Sequence, residues 1–489
     1  MARGKTLLRL LLLFGFLFGS TGFGAEAKLL SKPFLLAQAP DGELEEMDLD
    51  ITIPENIGST EANKEGGKRK NSQFQGKFYS WVANGLKNED QQALYFNYNR
   101  LQLTLTELYG DISFYLKLNG RYNTLYNNDE DGYGRGENLR LDLSEAYINY
   151  EKQPGSLLRQ FNFLAGIQTI NWGKADEMRP TDIISPQDMT LFMLEGKNDR
   201  KLGRFALRSL FTFSEAFRVD VIWLPVQRAT EMSVDSHSLF TPAAMTMMRD
   251  NGKTINPLKM PEQKLSHSDL ALKGYFQLFG IDLSFSFYNG YDAMPYAEVT
   301  TDVTPILSRV TMWGFDFEKA VGSIVIRGEA AYFSKGQLFG VDQDQYPTLY
   351  AREGSDGTVE KEYFEGTLGF DKNDFLVQKM YLNLQYNMNF IRDFEGGLTN
   401  RFGTKQEETN HLALWDIYYE WDNLTYRLEF AGSYSFTHGD YLLKPSFHVK
   451  LGLETKMILG AYLFGGEGQT DMGQFKEKSF SYLQLEHLF

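Results

Sequence analysis

Ser481-Tyr482-Leu483-Gln484-Leu485-Glu486-His487-Leu488-Phe489 is the stretch that decides the fold. Leu483, Leu485 and His487 fall on one side of an extended chain, and Tyr482, Gln484 and Glu486 on the other. An alternation of two gives a strand one face for lipid and one for water, which is the period of a transmembrane β-barrel wall. Working outward, the same period returns along the chain. Ile112, Phe114, Leu116 and Leu118 alternate with Ser113, Tyr115, Lys117, Asn119 and Arg121. Ile281, Leu283, Phe285 and Phe287 alternate with Asp282, Ser284 and Ser286. Leu382, Leu384, Tyr386, Met388 and Phe390 alternate with Asn383, Gln385, Asn387 and Asn389, and Leu424, Tyr426, Leu428 and Phe430 with Thr425, Arg427 and Glu429. A helix repeats every 3.6 residues and does not produce such runs.

Segments of this kind predict about eighteen strands, with sixteen within reach, beginning near 74, 95, 112, 139, 160, 204, 217, 267, 281, 308, 323, 361, 376, 409, 424, 442, 457 and 475. Tyr109-Gly110-Asp111, Ser214-Glu215-Ala216, Phe279-Gly280, Val321-Gly322, Asp422-Asn423 and Glu454-Thr455-Lys456 read as tight turns. Between them lie long polar loops near 127–138, 173–203, 225–264, 291–304, 334–360 and 392–408. Short turns at one end and long loops at the other predict an all-β, antiparallel, up-and-down transmembrane barrel over 74–489. A water-soluble β-sandwich is the rival fold, but it needs neither this loop alternation nor aromatics gathered at strand ends.

The first residues fit that reading. Arg3, Lys5 and Arg9 flank an apolar run from Leu7 to Phe18, and Ala25-Glu26-Ala27 offers a small-x-small cleavage site. We expect a signal peptide over 1–27, because a dozen apolar residues fall short of the ~20 that span a bilayer. Residues 28–73, with the acidic run Asp41–Asp50, are expected to form a largely disordered periplasmic tail. Removing Arg3, Lys5, Arg9 and Glu26 from 49 basic and 64 acidic residues leaves 46 against 63. So acidic a chain argues against nucleic acid as a partner. Cysteine is absent, which excludes disulfides, thiolate metal sites and N-terminal lipidation, and the six histidines show no ligand spacing. Neither a metal nor a cofactor is expected. Aromatics reach 15% while mean hydropathy is −0.37, a combination natural where only alternate residues face lipid.

A barrel of this size leaves a lumen, and parity assigns Lys117, Arg121, Arg208, Asp220, Lys273, Arg327, Glu329, Asp416, Glu420, Arg427 and Glu429 to it. Each of these taken alone is expected to pair across strands. Taken together they suggest a solute path, since a closed lumen would be packed with apolar side chains. Parity fails at 139–150, where Leu139, Leu141 and Leu143 lie on one face and Ala146, Ile148 and Tyr150 on the other. A bulge or a rise above the membrane would account for it, leaving Arg140, Asp142 and Glu145 unassigned.

The richest segment runs from Gly166 through Trp172-Gly173-Lys174-Ala175-Asp176-Glu177-Met178-Arg179-Pro180-Thr181-Asp182 to Met189. Its strand, Trp-Gly step, acidic residue and Pro-x-Asp resemble those of a largely uncharacterised group of porin-like outer-membrane proteins. The preceding Glu145-Ala146-Tyr147-Ile148 matches the same group. The terminal strand ending in Phe489, with Leu483 and Leu485, also resembles the assembly signal of Gram-negative outer-membrane barrels. These resemblances imply an outer-membrane channel, outer-membrane lipids and the barrel-assembly machinery as partners, and no particular substrate. The sequence leaves a homo-oligomer open.

In porins the loop after about the fifth strand often folds inward. Residues 174–203 carry Ile183, Ile184, Leu191, Phe192 and Leu194, which solvent would strand, so we expect an inward loop. Asp176, Glu177, Arg179, Asp182, Asp188, Arg200 and Lys201 would then line a mixed-charge constriction. Asn127-Asn128-Asp129-Glu130-Asp131-Gly132 lacks the spacing of a calcium loop and reads as a solvated acidic stretch. The leading expectation is passive diffusion of small hydrophilic solutes or ions, without catalysis. The alternatives are export of an acidic polysaccharide, which needs a basic lumen, and a structural or adhesive surface barrel. A hydrolase lacks a plausible nucleophile–histidine arrangement.

Overall fold

A computed structural model describes residues 71–86, 94–123, 139–232, 240–341 and 357–489. The expected signal peptide, nearly all of the tail and the acidic loop at 127–132 lie outside the described residues. Eighteen antiparallel strands form one sheet. They are β1 (Asn71–Gly85), β2 (Leu94–Tyr109), β3 (Ile112–Asn123), β4 (Leu139–Lys152), β5 (Gln160–Gln168) and β6 (Arg204–Ser214). Next come β7 (Phe217–Leu224), β8 (Asp269–Leu278), β9 (Ile281–Tyr291), β10 (Arg309–Val321), β11 (Ile324–Lys335) and β12 (Tyr363–Lys372). The wall ends with β13 (Met380–Ile391), β14 (Thr409–Trp421), β15 (Tyr426–Ser435), β16 (Tyr441–Lys450), β17 (Thr455–Gly465) and β18 (Phe480–Leu488).

Each strand pairs with its neighbours in the sequence, and β1 pairs with β18 from Lys77↔Leu488 to Gly85↔Phe480. The sheet is therefore a closed barrel. Closure leaves no open edge, which a hydrocarbon environment demands because it cannot hydrogen-bond exposed backbone. The seam continues past the strand: Gly76 N donates to the Phe489 carbonyl at 2.7 Å, and Phe489 N to that of Gly76 at 2.9 Å. The Phe489 ring covers Gly76, and a methyl group there would collide with it.

Alternation sets the two faces. Phe285, Trp313, Leu368, Leu428 and Leu459 are exposed on the outside, while Asp220, Asp269, Ser284 and Asp316 are buried inside. Leu483 and Leu485 face outward beside His487, whose Nδ1 meets Thr455 Oγ1 at 2.9 Å. Aromatic pairs gather at the short-turn end, including Phe213–Phe217, Phe217–Phe276 and Trp421–Tyr426, as in the girdles that mark a membrane interface. The tight turns use left-handed backbone: Phe279 and Gly280 have φ of 53° and 68°, the mirror-type conformation that fits the twist of a hairpin.

Several boundaries differ from expectation. β1 begins at Asn71, three residues earlier than expected. Leu424 belongs to the turn, with φ of 64°, so β15 starts at Tyr426 rather than 424. A 3₁₀ turn at Gly473–Lys478 occupies the start expected for the last strand, which begins at Phe480. The parity failure at 139–150 is a β-bulge. Lys117 pairs with Glu145 and Leu118 with Leu143, leaving Ser144 unopposed. Ser144 and Glu145 are both buried, and Arg140, Asp142 and Glu145 all belong to the lumen side.

Candidate functional site

The connection from β5 to β6 (169–203) crosses the barrel interior. Its path follows from one carboxylate on the wall. Glu329 of β11 accepts bonds from Thr181 N and Thr181 Oγ1 (both 2.7 Å), Lys174 N (3.0 Å) and Ala175 N (3.2 Å). The amides turn toward that anion because Gly173 adopts φ of 85°, and a side chain at Gly173 would strike the Glu329 carboxyl group. Successive backbone amides converging on an anion form a nest, here filled by the protein's own side chain. The Trp-Gly step thus has a mechanical role. Trp172 is buried beneath it, with Lys273 Nζ 5.7 Å from its ring centroid.

From Glu329 the loop reaches both flanks of the barrel. Asp176 accepts from Asn383 and Gln385 of β13, each at 2.5 Å, and Thr367 of β12 donates to Met178 O at 2.9 Å. Across the lumen, Asp188 pairs with Arg121 of β3, and Glu195 with Arg100 of β2 at 2.9 Å. Tyr79 of β1 lies 3.5 Å from Asp199, and Tyr462 of β17 donates to Leu194 O at 3.3 Å. Phe192, at φ of 53°, packs against Phe240, Phe402 and Phe475 from three of the long loops.

The seven loop charges expected at a constriction fall into two groups. Asp182, Asp188, Arg200 and Lys201 are buried as anchors: Lys201 Nζ lies 2.7 Å from Asp182, and Arg200 donates to Gln187 at 2.8 Å. Burial alone would raise the Asp182 carboxyl pKa, but Lys201, Lys197 and Arg179 outweigh it and hold the group below its usual range. Asp188 is lowered likewise, against burial, by Arg121. Asp176, Glu177 and Arg179 form the second group, nearer the free space. Glu177 keeps 43% of its side chain open although the loop around it is held on both flanks. Its charge is favoured, despite burial, by Arg200 and then by Lys444 of β16 on the wall beyond.

Most lumen residues expected from parity are bonded to one another. Arg208 grips Asp220 at 2.7 Å, Lys273 meets Asp316 at 2.8 Å, and Arg427 meets Glu420 at 2.8 Å. Arg327 holds Glu318 at 2.6 Å and also Asp371, while Glu429 lies 3.7 Å from Arg427. Lys117 faces Glu145 in register, and Asp416 faces Asn383. The expectation that a filled lumen must be apolar is therefore corrected. Much of this interior is filled by paired charges such as Asp220, Asp269 and Asp316, with no exposed surface at the carboxyl side chain. Asp199, Glu195 and Lys197 were not anticipated as site residues, nor were Glu318, Asp371, Tyr381, Tyr418 and Lys444. Parity places the wall members of that set on the lumen side, but no sequence signal ranks them above their neighbours.

The comparisons with known proteins follow this geometry in breadth and little in detail. No protein-family model matches the chain, and no curated protein matches it. Among solved structures it is similar to the outer-membrane channel DcaP of Acinetobacter baumannii, at 12% identity over 87% of this chain and 99% of that one, with a TM-score of 0.41. It is similar to Pseudomonas aeruginosa OccD3 (10% identity, 86% and 92% covered, TM-score 0.47) and Pseudomonas putida OprB (11%, 86% and 94%, 0.43). At this level no residue role carries over, and the barrel stands on its own strand pairing.

Proposed function

We propose that this protein is a porin-like channel of the Gram-negative outer membrane, through which small hydrophilic solutes or ions diffuse passively. The observation that carries the reading is the inward loop, pinned by Glu329 and leaving Glu177 open opposite the β16 wall. A loop so placed narrows a wide barrel, and fixed charges beside a narrow, low-dielectric path set ion preference. Outer-membrane lipids meet the apolar outside, and the assembly machinery reads the strand ending in Phe489. A homo-oligomer is compatible with this barrel, and no catalytic group or cofactor is assigned.

Export of an acidic polysaccharide fits poorly. The wall beyond the loop carries Glu318, Asp371, Asp416, Glu420 and Glu429 beside Arg327 and Arg427, where such a polymer needs excess positive charge. A structural or adhesive barrel would keep the same wall but conduct nothing. Reconstitution into a planar bilayer under a salt gradient decides the matter. The expected result is stepwise conductance with a defined reversal potential, and a silent membrane containing correctly folded protein would remove the channel reading.

A further inference from the structure

The apolar surface of this barrel continues past the ends of its strands. Among the described residues, five large apolar side chains are at least 76% exposed, and four of them stand on short turns. These are Leu157, Phe279, Leu376 and Leu453, at 84%, 97%, 76% and 88%. Their turns follow β4, β8, β12 and β16, so the tips are spaced four strands apart along the short-turn rim. The turns between them, after β2, β6, β10 and β14, carry Gly110-Asp111, Glu215-Ala216, Gly322-Ser323 and Asp422-Asn423, with Val321 and Leu424 beside the last two at lower exposure. Apolar and polar tips alternate around the rim.

Local backbone chemistry does not account for the apolar tips. Phe279 sits at φ of 53°, a conformation that favours Gly, Asn or Asp and strains a bulky residue. The turn after β14 fills the same conformation with Asp422 and Asn423, at 52° and 53°. Phe279 thus accepts a strained backbone and still leaves its ring open. The tips are continuous with the apolar outer wall: Leu278 precedes Phe279, Val377 follows Leu376, and Leu451 shares the turn of Leu453, all three exposed. Leu453 also lies next to the seam, where Leu488 N donates to Glu454 O at 2.8 Å and Phe489 is exposed. Charges of both signs stand on the same rim. Lys152 meets Asp111 at 3.3 Å and Arg159 meets Glu215 at 2.9 Å, with all four side chains more than half exposed. Apolar tips among exposed charges of both signs match the boundary between acyl chains and zwitterionic head groups. Because the tips are spread around the rim, a partner docked on one flank would leave most of them uncovered.

We propose that the short-turn rim is a phospholipid-binding surface. Leu157, Phe279, Leu376 and Leu453 enter the periplasmic leaflet of the outer membrane, and the turns between them stay among the head groups. The occupant is the lipid itself, neither a periplasmic protein nor a second copy of the chain. Four anchors around the rim fix the depth of the barrel and resist its tilting. The inference rests on the outer-membrane placement and not on conduction, so a folded barrel that passes no ions leaves it standing.

The chain contains no cysteine, so a single introduced thiol reports on one turn. Phe279→Cys, Leu453→Cys, Glu215→Cys and Asp422→Cys are each placed in nanodiscs of phosphatidylethanolamine and phosphatidylglycerol, which leave both faces open. Heat-shifted gel migration confirms folding, and Leu157→Cys or Leu376→Cys replaces an apolar-tip variant that fails. The thiolate is the reactive form and apolar surroundings suppress it, so positions 279 and 453 should react with a charged maleimide about tenfold more slowly than 215 and 422. A bimane on residue 279 should be quenched by lipid spin-labelled near its head group about threefold more than one on residue 215. Equal maleimide rates at the four positions, or equal quenching at the two, overturn the proposal. Sedimentation then compares the natural chain with the variant carrying serine at all four tips. The two should sediment alike, and a dimer of the natural chain that the serines dissolve would assign the rim to a second copy and overturn the proposal.

Discussion

The two flanks of the lumen use the same charged residue types to opposite ends. On the side of β2 to β10, Arg100, Arg204, Lys273, Asp220, Asp269 and Asp316 are at most 3% exposed at the side chain, each matched to an opposite charge in the wall or the loop. On the arc from Glu318 to Glu429, Glu318, Arg327, Arg427 and Glu429 keep 20–31% of their side chains open. The difference is the loop, which fills the first side and only borders the second. Buried ion pairs fix geometry at a heavy desolvation cost, whereas half-solvated charges act on whatever passes. Charge in a barrel interior therefore means filling or function according to its access to water, and sequence alone does not report that access.

Removing the Glu329 carboxylate should break this contrast most severely. Glu329→Ala leaves the Lys174, Ala175 and Thr181 donors without their acceptor, at a cost of several kcal/mol if each loss is worth about 1–3. The freed loop should raise single-channel conductance and make it noisy; unchanged conductance would show that the loop does not set the passage. Deleting Phe489 should come next, since it strips the seam of two backbone bonds and the ring over Gly76. Loss of the heat-shifted gel species in membranes is the expected readout, and normal levels would detach the terminal residue from assembly.

Within the loop, Asp182 and Glu177 sharpen the comparison. Asp182→Asn leaves Lys201 buried without its carboxylate and should destabilise the loop by about 3–5 kcal/mol, seen as faster loop proteolysis. Glu177→Gln should be benign for stability yet move the reversal potential toward anions, and the reverse pattern would reassign the two groups. Alkaline titration should give a smaller shift. Burial pushes the Lys197 amine down to about 8, against the pull of Asp182. Its charge is lost as pH rises through 8, so cation preference should grow between pH 7 and 9, and Lys197→Met should abolish the change. Because the folded value lies below the ordinary lysine value of 10.5, the unfolded chain binds more protons between 8 and 10.5, and this group's contribution to stability rises across that window. The least effect is expected from Asp393→Asn on an exposed long loop, where salt screens a charge beyond about 8–10 Å.

Much of the wall is legible in the sequence because a strand carries its orientation locally: Leu283 and Ser284 declare opposite faces without knowing their partners. The bulge at Ser144 shows as a parity fault for the same reason. The role of Gly173 is not legible, since its partner Glu329 lies on another strand and neither residue type is unusual alone. Likewise Asp182 and Glu177 look alike in sequence. Lys201 and the Trp172 amide close around one of them, while the other keeps 43% of its side chain open.

The anchoring of the loop also orders events in time. Its contacts on β1 to β4 come from chain made before it, and those on β11, β12, β13 and β17 from chain made after, up to Leu194 with Tyr462, 268 residues apart. The seam between β1 and β18 joins only when the last strand is present. The narrow passage is consequently the last part of the molecule to come into being. A barrel lacking its last strands would also lack the wall that holds the loop at Leu194, so closing the seam and narrowing the passage depend on the same late-made chain.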